Sequence, residues 1–309
     1  KRFFITKDTD TRKVQSVELP APGKADMGSY RHLSNYIRYV KQNFPADKYM
    51  LVVSNHGAGM YGISFDDVTG NNLKIKGLAR AIELNGGVDV YASDACLMQM
   101  GEVVAALKGS AKVIVGSEET VPGNGFEYTS LLKGISANPG ISPQDVGALV
   151  VDTFHKSYAG SGDKTTISAV DMENFDGFAQ ALNSWIATVQ QSPDSRKGLV
   201  QAVQHSRSFA YPEFRDLRHF AEITARYAKD ESVTAATEEL NKAMDSLLLA
   251  SAQRGYKKAN GLAVYVPTSS KIIKGYEGME FSQMTDWSKF LEWMKSYKLL
   301  THDVQDAHK

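Results

Sequence analysis

Across its first two thirds the chain alternates short, uninterrupted apolar runs with longer amphipathic stretches, and few architectures accept that pattern. Tyr49–Ser54 and Val88–Ser93 are apolar at nearly every position, as strands are when both faces are covered. Between such strands lie stretches long enough for the crossover helices that parallel pairing demands. Gly28–Phe44 places Leu33, Tyr36, Ile37 and Val40 on one helical stripe and is broken at Pro45. Ile75–Leu84, Leu97–Leu107 and Pro143–Tyr158 read as further helices, and Lys112–Gly116 and Thr165–Asp171 as further strands. Arg2–Thr6 and Val14–Leu19 read as an early strand pair. The expected fold class is α/β, an αβα sandwich around a mainly parallel sheet.

After Asp171 the pattern changes. Met172–Lys258 reads as almost wholly helical, with Ala-rich windows at Phe178–Val189 and Thr234–Arg254. Gly261–Val266 then returns as an apolar strand, and Asp286–Tyr297 closes as a helix with Trp287, Phe290, Leu291 and Met294 on one stripe. The expected organisation is a core over 1–171, a helical subdomain over 172–258, and a returning strand with its closing helix over 259–309, packed back on the core.

Charge and composition remove several function classes. The 309 residues carry 35 Lys and Arg against 35 Asp and Glu, so no cationic surplus exists to displace counterions from nucleic acid or to hold an anionic membrane. No apolar run reaches 18 residues, so no membrane-spanning helix is expected. A single cysteine, Cys96, excludes an intramolecular disulfide and a zinc site built on several thiolates. No Gly-rich phosphate loop follows an early strand, which disfavours a nucleotide-binding domain.

Two of the buried strands end in residues suited to catalysis. Tyr49–Ser54 runs into Asn55-His56-Gly57-Ala58-Gly59, and Val88–Ser93 into Asp94-Ala95-Cys96. In an open α/β sheet, loops at the C-terminal ends of neighbouring strands meet on one rim. A thiol there is activated by an imidazole within hydrogen-bond reach, and a helix starting at Leu97 would add its positive N-terminal end. The backbone N–H groups of Gly57 and Cys96 could then receive the oxyanion of a tetrahedral intermediate. The competing expectation is that a lone cysteine among apolar neighbours is simply a small buried hydrophobe.

The succession apolar block, His-Gly, spacer, apolar block, Ala-Cys resembles the superfamily that includes caspases, gingipains, legumain and clostripain. Asn55–Gly59, Asp66-Asp67, Asp94–Met100, and Glu118-Glu119 before Pro122-Gly123-Asn124-Gly125 and Phe126 are most similar to the clostripain family. So are Thr166–Asp171, Phe214–Phe220, Gly261–Pro267 and Trp287–Phe290, so that the likeness runs over about residues 26–295. The resemblance implies a caspase-like fold and a cysteine endopeptidase cutting after Arg or Lys, with His56 and Cys96 as its dyad. It places Asp94 at the floor of the pocket for the basic P1 side chain, with Ser117, Glu118 and Asn124 around it. Asp94 as a helix N-cap is the alternative.

The family usually reads Pro-Gly-Asp-Gly where this chain has Asn124, so the basic preference is expected to rest mainly on Asp94. The core is expected to lack a first strand–helix unit, which an N-terminal fragment of the same precursor could supply as a partner. Family members cut themselves between the histidine and the cysteine. Lys74 and Lys76, beyond the turn Gly70-Asn71-Asn72, are the candidate self-cleavage points, or else solvated residues at a helix start. The chemistry needs no cofactor. Calcium is allowed, with Asp66, Asp67, Asp94, Glu118 and Glu119 as the available oxygen donors, although no twelve-residue calcium loop occurs. His155, His205, His219 and His302 show no metal-ligand spacing. Protein or peptide substrates, and an extracellular or cell-envelope location in a bacterium with the leader removed, complete the expectation. The rival is a catalytically inactive caspase-like module that only binds peptides.

Overall fold

The computed structural model describes residues 1–7, 9, 10, 12, 13 and 15–300. Val14 of the expected second strand, His302 and the tail 301–309 lie outside the described residues. In chain order, a small antiparallel pair of strands, β1 (Arg2–Phe4) and β2 (Val17–Leu19), precedes helix α1 (Tyr30–Asn43) and strand β3 (Met50–Ser54). A short antiparallel ribbon, β4 (Ile63–Asp66) and β5 (Asn71–Leu73), leads into α2 (Ile75–Glu83). Then come β6 (Val88–Asp94), α3 (Gly101–Ala106), β7 (Ala111–Gly116), α4 (Tyr128–Ala137), α5 (Pro143–Ser157) and β8 (Thr165–Asp171). The remainder is α6 (Phe175–Gln191), α7 (Ser195–His205), β9 (Phe214–Asp216), α8 (Leu217–Ala228), α9 (Glu231–Leu247), β10 (Leu248–Arg254), β11 (Ala263–Tyr265), α10 (Glu280–Met284) and α11 (Trp287–Ser296).

The main sheet has the order β10-β8-β7-β6-β3. β3, β6 and β7 are parallel, but β8 pairs antiparallel with β7 and β10 antiparallel with β8, so the sheet is mixed rather than mainly parallel. Period-two alternation divides its side chains between two layers. Val90, Ala92, Val113 and Val115 pack with Phe126, Leu131, Val146, Val150 and Phe154 beneath α4 and α5. Tyr91, Ile114 and Val170 pack on the opposite face with the apolar stripes of α1, α2, α3 and the C-terminal helices. Local signals set the helix ends. Ser142 accepts the Asp145 N–H at 3.0 Å and Pro143 opens α5, which satisfies one orphan donor at a point where proline costs nothing.

Several elements depart from the expectation, among them the ribbon β4–β5, whose second strand begins at Asn71 inside the expected turn Gly70-Asn71-Asn72. Leu97–Leu107 is not a continuous helix: α3 starts at Gly101, because Leu97 adopts a left-handed backbone (φ +65°). The N–H groups of Leu97 and Gln99 are tied to the carbonyls of Glu119 and Ser117 at 3.1 and 3.0 Å. α4 has no counterpart in the sequence reading, although Glu127 caps it by accepting from Thr129 and Ser130 N–H. Residues 172–258 are not wholly helical. β10 lies in the Ala-rich window, yet the edge of β8 offers it a ladder from Leu248 to Arg254, broken only by a register shift at Leu249, and that pairing overrides helix propensity. The returning strand β11 pairs antiparallel with β9 in a two-stranded sheet of its own. Nor do α6–α9 have a core of their own: Trp185, Phe220, Trp287 and Phe290 share one continuous apolar cluster with Met100, Tyr91 and Val170.

Candidate active site

β3 and β6 lie side by side with Ser54 opposite Asp94. Two residues beyond each of these, the chain reaches His56 and Cys96, so the parallel register carries imidazole and thiol to the same end of adjacent strands. The approach of the two loops is tightest at Gly57, where a Cβ would stand 2.3 Å from the Cys96 carbonyl oxygen and 3.0 Å from the Met98 sulfur. Only glycine fits there. Gly57 also faces Ile63 across an antiparallel bridge whose hydrogen bonds are made by its neighbours, Ser64 N–H to His56 O at 3.1 Å and Ala58 N–H to Gly62 O at 2.9 Å. In such a non-hydrogen-bonded pair the N–H of Gly57 points away from Ile63. His56 is exposed and Cys96 half-buried.

Because α3 begins at Gly101, the positive end of a helix does not face the sulfur, and Asp94 does not cap a helix. Those two sequence expectations fall together. The partner of the sulfur is instead the loop after β7, where Val121 N–H donates to Sγ at 3.3 Å. Left-handed backbone at a branched residue such as Leu97 costs on the order of 1 kcal/mol, and the two hydrogen bonds to Glu119 and Ser117 hold it in place.

Asp94 follows the parity of Val90 and Ala92 and turns toward the α4–α5 layer. Its carboxylate is buried (7% exposed). Oδ2 accepts from Tyr128 Oη at 2.8 Å, Phe126 N–H at 3.2 Å and Ser54 Oγ at 3.4 Å. Oδ1 is buried without a hydrogen-bond partner among the described residues. Gly125, left-handed at φ +61°, closes the wall, since a Cβ there would stand 2.6 Å from Oδ2. Burial and then Asp94 push the Tyr128 hydroxyl far up, so it stays a donor. Ser54 and Tyr128 escaped the sequence reading, since nothing in a lone Tyr or Ser announces a carboxylate across the sheet, and Gly125 enters that reading only as part of the Pro122–Gly125 motif. Asn124 is exposed in the turn closed by Gly125 N–H to Pro122 O at 2.9 Å.

Ser117 and Glu118 are not brought to Asp94. Ser117 is fully buried, donating to Glu119 O at 2.9 Å and lying 2.8 Å from Thr166 Oγ1. Glu118 accepts from Gly261 N–H at 2.9 Å and stands near Asp216, itself bonded to His219 N–H at 2.7 Å and Asn260 Nδ2 at 2.8 Å. Burial first, and the Asp216 charge second, raise Glu118 well above the usual carboxyl range. The pair anchors the loop after β7 to the loops around β9 and β11. Among the described residues, no three His, Cys, Asp or Glu side chains gather as metal ligands, so the carboxylates that sequence offered to calcium do not form one site. Asp66 is occupied by the N–H groups of Met27, Val68 and Thr69, and Asp67 is exposed. Lys74 and Lys76 are both exposed at the start of α2, bonded to Asn72 Oδ1 at 2.7 Å and Gly278 O at 2.8 Å.

The profile of the Clostripain family matches residues 4–299. The chain belongs to the clostripain family. Clostripain of Hathewaya histolytica is 24% identical over 317 residues, covering 82% of this chain and 59% of that protein, so the chain spans under two thirds of the length of that relative. The secreted C11 cysteine protease iotapain of Bacteroides thetaiotaomicron superposes with a TM-score of 0.67 at 19% identity, covering 87% of this chain and 81% of that one. An inactive zymogen C11 protease of Parabacteroides distasonis superposes at 0.61 with 22% identity, covering 91% and 78%. The caspase-like fold expected from the residues around His56 and Cys96 is therefore the fold of this chain. Among the described residues no helix is long and apolar enough to cross a membrane.

Proposed function

We propose that this clostripain-family chain is a cysteine endopeptidase that hydrolyses peptide bonds after Arg or Lys. In this reading Cys96 Sγ attacks the scissile carbonyl while His56 takes the thiol proton and returns it to the leaving amine. The N–H groups of Gly57 and Cys96 receive the oxyanion, and water releases the acyl-enzyme. The observation that carries it is the β3–β6 register, with Gly57 pressed against the Cys96 carbonyl. The basic preference rests on the unpartnered oxygen of Asp94: a buried carboxylate without a counter-ion costs several kcal/mol, which a substrate guanidinium or ammonium offsets.

A fluorogenic panel varied at P1 tests the reading. Arg and Lys peptides should be cleaved and neutral or acidic ones should not, and Cys96→Ala should abolish turnover while leaving the melting curve unchanged. Turnover by Cys96→Ala would refute the assignment. No step of the chemistry is routed through a metal, and the same panel run with and without a calcium chelator decides whether calcium is required. Self-processing after Lys74 or Lys76 is part of the proposal; because Ile75 is buried, the first turn of α2 must unwind for it. Fragment masses of active protein decide this. An N-terminal fragment of the precursor would find β3 unpaired on its outer edge among the described residues. The secreted relative favours an extracellular or cell-envelope location.

A further inference from the structure

On the opposite side of Cys96 from Asp94 lies a second group of residues that the dyad does not use. Asp94 points into the layer of Phe126, whereas the loop after His56 packs on the other layer. There a Cβ on Gly59 would meet the Met100 sulfur, Phe214 Cε2 and the Leu97 carbonyl oxygen. The turn that follows carries Tyr61, which stacks on Phe214 (centroids 5.8 Å apart) and meets Tyr211 edge-on at 5.9 Å. Tyr61 Oη donates to Glu213 Oε1 at 3.4 Å. The segment bearing Tyr211 and Glu213 is pinned to the thiol loop, because Ala210 N–H donates to Glu119 Oε1 at 3.1 Å, two residues from the Val121 N–H on the sulfur.

The chemistry of this cluster is specific. Glu213 is half-buried and has no ion pair among the described residues. No Lys or Arg of the described residues lies over the rings of Tyr61 or Tyr211. Burial, then the Glu213 charge, push the Tyr61 hydroxyl up, so it remains a donor that holds the carboxylate in place. Tyr211 is 39% exposed, which leaves the cluster open to solvent. Ring faces beside an uncompensated carboxylate attract a cation more than an aliphatic side chain of equal length.

We propose that Tyr61, Tyr211 and Glu213 form a second specificity pocket that takes a basic side chain of a substrate residue flanking the P1 residue, so that the preferred substrates are dibasic. This rests on the endopeptidase reading for its orientation, since a chain whose P1 cation reaches Asp94 must cross Cys96 toward the other layer. The test separates the two by reading equilibrium binding apart from turnover. Labelled peptides with Lys at P1, and with Lys, norleucine, Phe or Glu at P2 or at P1′, are titrated into the Cys96→Ala protein by fluorescence anisotropy.

Lys should bind about tenfold tighter than norleucine at one of the two positions, and the ratio should shrink at high salt. In the Cys96→Ala background, Glu213→Gln, which keeps a partner for Tyr61, should bring that ratio to within about twofold, and Tyr211→Leu should lower it. Equal binding of Lys and norleucine at both positions, tighter binding of Phe than of Lys, or a ratio unmoved by both substitutions would overturn the pocket. Absent cleavage of every peptide by the unmutated protein would instead overturn the endopeptidase reading, and leave the binding ratio to decide the pocket.

Discussion

Gly57→Ala isolates the geometric claim on which the dyad depends. Gly57 is not among the residues with left-handed backbone, so alanine is conformationally acceptable and the effect is steric. The new Cβ would begin 2.3 Å from the Cys96 carbonyl oxygen, against a carbon–oxygen contact of about 3.3 Å, so the His56 and Cys96 loops must part by about 1 Å. Neither neighbour yields easily: the obstacle is backbone, and Ala95 Cβ stands 3.1 Å away on the same side. A displacement of that size at reacting groups costs about 10²-fold in rate, or about 2.7 kcal/mol of transition-state stabilisation, and overpacking costs about 1–3 kcal/mol of stability. The assay is kcat/KM on a Lys or Arg peptide together with a melting curve. Gly198→Ala is the control: its Cβ would stand 2.1 Å from the Thr224 carbonyl oxygen between α7 and α8, away from the dyad. It should lower Tm comparably while the folded protein keeps kcat/KM within about twofold. A Gly57→Ala protein that keeps kcat/KM within threefold of the unmutated protein, or that loses activity only in proportion to lost fold, would refute the reasoning.

Asp94→Asn should lower kcat/KM for basic P1 peptides by about 10²- to 10³-fold, as removing one partner of a buried charge pair does, while raising Tm of the free protein because a buried charge without a counter-ion is gone; a lowered Tm would speak against Oδ1 being uncompensated. Tyr128→Phe removes the 2.8 Å donor to Oδ2 and should cost about 1–3 kcal/mol in KM for a basic P1 with little change in kcat, read from steady-state kinetics. Glu118 is held above its unfolded value, so the folded state binds the extra proton. Its contribution to stability is therefore complete below the unfolded value and lost as pH rises toward the folded one. Glu118→Gln should flatten that alkaline decline in Tm, and parallel pH profiles for the two proteins would contradict it.

The apolar blocks Tyr49–Val53 and Val88–Ala92 already specified buried parallel strands and an α/β class, and the His-Gly and Asp-Ala-Cys at their ends offered a candidate pair for nucleophilic chemistry, because strand burial and residue type are local properties of the chain. Position in sequence also sufficed for α1, α2 and α5, whose stripes and stop signals are read within single segments. What lay beyond it depended on partners distant in the chain. Residues 248–254 are an Ala-containing stretch until the edge of β8 makes them a strand. Leu97–Gln99 would extend a helix if Ser117 and Glu119 did not hold their N–H groups. Asp94 could have been a cap or a pocket floor; its surroundings were decided by Tyr128 and Gly125, more than thirty residues away, and by a neighbouring strand that supplies Ser54. Glu118 and Ser117 looked like loop acids and hydroxyls near a pocket, and became the buried anchor of that loop once β8, β9 and the approach to β11 closed over them. Residue type and periodicity act within a few turns of chain and are legible there, whereas burial, register and the partner of a polar atom arise only when segments far apart in sequence come into contact.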